Sequence, residues 1–221
     1  MEARLLGETD LAGFREEARN LLARQVPPEA VEWQLEPAEV ASQFDAPAPP
    51  QASRPRHMPK ATAALVPASF LRLCESVVLH RDPERFGLLY RLLWRLVHEP
   101  NLRNDSLDAD MLHAQHMAHA VRRDLHKMKT NLRFQPVAEP GSDAPLQLAW
   151  YEATHHIIEA AAPWFARRMD GSRWAILTPE RSVRGEGGRM QYGPGVPEAH
   201  RIGPHADEQD WLAAYRSVFG S

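Results

Sequence analysis

The chain has 221 residues, 43% hydrophobic and 25% charged, with a formal net charge of −3. This is an ordinary globular balance, which excludes a histone-like binder that is basic throughout. One cysteine, Cys74, excludes an internal disulfide framework or an iron–sulfur cluster held by four cysteines of this chain, and no apolar run of about 18 residues is present to span a membrane. MEARLLGETD lacks an apolar core followed by a small-residue cleavage site, so no signal peptide is expected and the chain reads as cytoplasmic.

In chain order, ETDLAGFREEARNLLARQV predicts a helix capped by Thr9 or Asp10, with Leu11, Phe14, Ala18, Leu21 and Leu22 on one face. Glu32-Trp33-Gln34-Leu35 reads as a short strand. Residues 44–64, FDAPAPPQASRPRHMPKATAA, have no period and read as a linker or long loop. Pro67 opens a helix in PASFLRLCESVVLH, and Pro83 opens PERFGLLYRLLWRLVHE, where Glu84, Arg91, Arg95 and His98 form a narrow polar stripe on a helix apolar around nearly every side. A third helix is predicted from Asp105 or Ser106 to about Leu132. Its buried seam is Leu107, Met111, Ala114, Ala118, Val121, Leu125 and Met128.

Beyond it the period changes. LRFQPV, LQLAWYE, RWAILTPE and MQYGP read as strands, THHIIEAAAPWFARRM as an interposed helix and DEQDWLAAYRSVF as a closing helix. Helices first and strands afterwards predict one α+β domain over 1–221, with a small antiparallel sheet and a packed helix in its C-terminal half. Phe134, Leu148, Trp150, Ile176 and Leu177 are expected in that sheet.

Charge is uneven: residues 61–135 carry eight acids and eleven Lys/Arg, whereas both flanks are acidic. The excess concentrates in VRRDLHKMKTNLRF, Val121 to Phe134, with five Lys/Arg and one acid. Arg122, His126, Lys129 and Arg133 step by four, three and four, so they form one stripe beside the buried seam, with Arg123 and Lys127 alongside. Such a stripe suits phosphates. The competing reading is a solvated helix face favoured by the helix dipole, with Glu152, Glu159 or Glu180 neutralising it.

His113, His116, His119 and His126 share the same helix, but no second ligand motif accompanies them, so they read as solvent-facing and no metal or other cofactor is expected. His155 and His156 sit at the start of the later helix, where an anion could bind. The Gly193-Pro194-Gly195 turn could approach a phosphate closely, although such turns are commonly only turns. No phosphate-loop, dinucleotide or nucleophile-elbow motif is present.

HRDPERFGLLYRLLWRL, VRRDLHKMKTNLRF, WYEATHHIIEAAAPWFARRM, RWAILTPERS and YGPGVP together resemble, in order and spacing, a bacterial family known as probable DNA metabolism proteins. Its members occur alone, beside a radical-SAM protein, or fused ahead of a uracil-DNA glycosylase-like domain. The resemblance implies a role in DNA modification or repair without specifying a reaction. By position it points to Arg122, Arg123, His126, Lys127, Arg133, His155 or His156, Trp174, Thr178, Pro179 and Arg181. Gly185-Glu186-Gly187 stands where the family carries Trp-Asp-Gly, which removes an aromatic that could stack a base. The family runs on into a basic tail, whereas this chain stops at Phe219-Gly220-Ser221 and reads as a truncated domain.

Three functions are weighed. The first is a DNA-binding accessory domain working with a glycosylase-like or radical-SAM partner and using no membrane. It would hold phosphate with Arg122, Arg123, Lys127, Lys129, Arg133 and Arg181, and contact bases with Trp174 or Tyr192. The second is a nucleic-acid-processing enzyme with His126 and His155 or His156 as acid/base groups. The third is a protein–protein adaptor without nucleic-acid contact.

Overall fold

A computed structural model describes residues 1–36, 66–105, 107–139, 141–142 and 144–220. The loop expected at 44–62 lies outside the described residues. The chain divides into two compact units, Met1–Arg122 and Arg123–Ser221.

The first unit begins with β1 (Glu2–Leu5), α1 (Leu11–Ala23) and β2 (Glu32–Leu35), and β1 pairs with β2 in parallel. Asp10 is the N-cap of α1: its carboxylate accepts from the Gly13 N–H at 2.8 Å and from the Leu6 N–H at 3.0 Å. Phe14, Ala18, Leu21 and Leu22 are buried, as the periodicity predicts. β1 was not legible in the sequence, because four residues of alternating burial carry little signal inside MEARLL.

Helices α2 (Ala68–Val77) and α3 (Arg85–His98) follow, and then the long α4 (Ala109–Asn131), which continues into the second unit. Phe70, Cys74 and Val77 of α2, seven residues of α3, and Ala114, Met117 and Ala118 of α4 are buried, so the expected three-helix core is present. Phe14, Trp33, Phe86 and Tyr90 pack ring to ring at its centre, with centroids 5.2–6.1 Å apart.

Arg85 is fully buried there. Its guanidinium donates to the carbonyls of Val78, Asp82 and Glu8 and pairs with the Glu8 carboxylate at 2.6 Å. The polar stripe of α3 is matched as well: Arg95 meets Glu99, Asp108 and Asp110, and Arg91 meets Asp110.

The second unit holds a five-stranded sheet in the order β3 (Gln135–Val137), β4 (Leu146–Trp150), β5 (Trp174–Leu177), β6 (Arg181–Glu186) and β7 (Arg189–Pro194). The α+β class is as expected. The pairing is antiparallel except between β4 and β5, which run parallel because α5 (Ile158–Arg168) carries the chain back between them. Phe134 lies just before β3. Leu146, Leu148, Ala175 and Leu177 pack against Trp211, Ala214, Tyr215 and Phe219 of α6 (Glu208–Phe219). On the α5 side, Phe134 packs edge-on against both Phe165 and Trp174.

Candidate nucleic-acid interface

The single acid of the basic run anchors the second unit's part of α4. Asp124 is buried, and one carboxylate oxygen accepts the Tyr151 hydroxyl at 3.0 Å. The other accepts the backbone N–H groups of Thr154 and His155 at 2.8 and 2.9 Å. Val121, Asp124, Met128 and Leu132 therefore form the buried line, and Leu125, expected on it, is only half-buried. A carboxylate that finds three donors can occupy a buried position where periodicity places a leucine. Burial and the Asp124 hydrogen bond together push the Tyr151 hydroxyl well above its ordinary pKa.

With that line inward, Arg122, Arg123, His126, Lys127 and Arg133 are exposed and Lys129 is half-buried. The acids that could have neutralised the run are committed elsewhere. Glu152 pairs with Arg201 at 2.6 Å, Glu159 with Arg181 at 2.6 Å, and Glu180 with His156 at 3.2 Å. The hydrogen bond from Arg201, reinforced by one from Trp150, holds the Glu152 carboxyl below the usual carboxylate range. Among the described residues no carboxylate pairs with Arg122, Arg123, Lys127, Lys129 or Arg133. Arg133 instead donates to the Thr130 and Leu132 carbonyls at 2.9 and 3.2 Å, closing the C-terminus of α4.

Trp164 of α5 completes the patch. The Lys129 ammonium stands 6.0 Å and the Arg168 guanidinium 5.6 Å from its ring centre. An aromatic flanked by two cations combines a stacking surface with phosphate-directed charge. The sequence offered no way to single out Trp164, since the pairing joins two helices about 35 residues apart along the chain.

The remaining expected site residues are dispersed. Arg181 is engaged by Glu159 and lies over the Tyr192 ring at 5.5 Å, and burial raises the Tyr192 pKa. Trp174 is buried against Gly185, so it is a core residue and not a surface aromatic available to a base. His126 is exposed, His155 is buried in the turn held by Asp124, and His156 faces Glu180. His113, His116 and His119 are exposed, and no group of three metal-ligating side chains occurs among the described residues.

The TPERS turn is bonded to itself. The Thr178 hydroxyl donates to the Arg181 carbonyl and accepts from the Glu180 and Arg181 N–H groups, while the Ser182 hydroxyl accepts from the Thr178 N–H. Gly195 lies against the Pro179 carbonyl, so the close approach of the Gly-Pro-Gly segment is to the chain itself. Burial pushes the Cys74 thiol up to about 12, which leaves it a core residue and not a nucleophile. No helix among the described residues is long and apolar enough to cross a membrane.

No curated protein and no solved structure matches the chain. The family model described as a domain of unknown function, DUF4130, matches residues 83–216, from just before α3 into α6, and covers the whole basic run, Asp124 and Trp164. The chain belongs to the DUF4130 family.

Proposed function

We propose that this protein is an accessory domain of DNA metabolism that binds DNA, or a phosphate-bearing ligand, through the cationic face around Lys129. The observation that carries this reading is the pairing of Glu152 with Arg201, Glu159 with Arg181 and Glu180 with His156, which leaves the run's charge available, beside a Trp164 ring flanked by Lys129 and Arg168. Exposed arginines and lysines attract phosphates by charge, and an aromatic among them favours a base over a bare anion. The resemblance to probable DNA metabolism proteins supplies the partner class, a uracil-DNA glycosylase-like domain or a radical-SAM protein. The dispersed histidines, with His155 buried, give the acid/base reading less support.

The test is fluorescence anisotropy with labelled single-stranded and duplex DNA at two salt concentrations. For each tenfold rise in salt, binding should weaken by about 0.9 logarithmic units per phosphate contacted on duplex and about 0.7 on single-stranded DNA. Trp164→Ala should weaken single-strand binding more than duplex binding. No salt-dependent binding to either would overturn the reading.

A further inference from the structure

We infer that the first unit carries a second nucleic-acid site, a groove that takes a nucleotide of a single strand, base inward and phosphate at the rim. This rests on the nucleic-acid reading above and shares Arg122 with the basic run, while Arg72 and the rest of the lining lie outside it. The groove has a volume of about 1020 Å³ and lies among α2, α4 and the turn that precedes α4. Sites for small organic ligands span roughly 300–1,000 Å³, so there is room for more than one nucleotide.

Its apolar floor is the partly buried Leu73 and Met111, backed by the buried Phe70, Leu96, Leu102 and Ala118. Gln115 and Asn104 line the same groove and offer amide donors and acceptors for a base edge.

The rim is cationic. Arg72 of α2 and Arg122 of α4 are exposed, and neither has an ion-pair partner among the described residues. His119, one turn before Arg122, adds a ring N–H donor to the same rim. Of the acids that line the groove, Glu75 is matched by Arg15 of α1 at 3.1 Å. Asp105 is tied into its own turn, where it accepts the Leu107 N–H at 2.9 Å. An uncharged ligand would leave Arg72 and Arg122 unused, and a bare inorganic anion would leave the apolar floor unused. A nucleotide engages both, and a duplex, with its bases stacked inside, cannot present one to the floor.

The probe is a thymidine tetranucleotide, set against an abasic tetranucleotide of the same charge. The base-bearing strand should bind at least about tenfold more tightly than the abasic one. Arg72→Glu and Arg122→Glu should each weaken it by about tenfold, and Arg72→Lys should retain most of the binding. The Met111 methyl resonance should shift on titration, a readout that needs no substitution. Circular dichroism checks that each variant is folded; the altered arginines are exposed.

Equal binding of the two strands, unchanged affinity in folded Arg72→Glu and Arg122→Glu, or an unmoved Met111 signal would each overturn the groove. Lys129→Glu with Arg168→Glu separates the two readings. If that pair lowers duplex binding while the Arg72→Glu variant binds every probe normally, the groove fails and the Lys129 face stands.

Discussion

Asp124 shows how a single residue sets the orientation of a helix. Its carboxylate is the acceptor for the Tyr151 hydroxyl and for two backbone N–H groups in a buried turn. Asp124→Ala would leave those N–H groups without a partner and should destabilise the protein by about 3 kcal/mol. The measurement is the urea midpoint, with an unchanged denaturant slope.

Arg95 makes a second residue-scale prediction. Its hydrogen bonds hold Asp108 below the usual carboxylate range, and Arg91, with help from Arg95, does the same for Asp110. Because the folded pKa values are depressed, the unfolded chain takes up protons first as pH falls. The contribution is therefore complete at neutral pH and drains away as pH drops into and below the usual carboxylate range. Arg95→Gln should flatten that acid-side loss, as read from urea midpoints measured across a pH series.

At the scale of elements, the Pro179 and Gly195 segments meet backbone to backbone beyond the ends of β5 and β7. The Val196 N–H donates to the Thr178 carbonyl at 2.8 Å, and a Cβ on residue 195 would stand only 2.0 Å from the Pro179 oxygen. Gly195→Ala must push one segment away and should cost roughly 1–3 kcal/mol, seen as a lower thermal midpoint. The β4-α5-β5 passage is the element-scale feature that the sequence left open. Strand-like runs on either side of a helix fit a parallel or an antiparallel return, and the choice depends on where α5 packs.

For the whole molecule, a net charge of −3 is compatible with binding a polyanion only where positive charge is gathered locally. The salt dependence should therefore report a small number of contacts. Lys129→Glu with Arg168→Glu should reduce the magnitude of the salt slope by about two, if each residue meets one phosphate. A slope unchanged from the original protein would place the DNA contacts elsewhere.

Much was legible in the sequence because hydrophobic period and cap chemistry are local. Leu11 to Leu22, the helix after Pro67, the nearly all-apolar helix after Pro83 and the strands at Leu146–Trp150 and Trp174–Leu177 announce themselves within a few turns of chain. The alignment of Arg122, His126 and Lys129 was legible for the same reason, since helical spacing alone lines them up, whereas Arg133 lies past the helix end at Asn131. Which cations are neutralised was not legible. Glu159 chose Arg181, Glu152 chose Arg201, and Lys129 came to stand over Trp164, each across a separation that only the packed chain closes. Ion pairs and ring contacts between distant segments depend on where the elements dock. Local spacing therefore determined where the charge lies, and tertiary packing decided which of it remains available to a ligand.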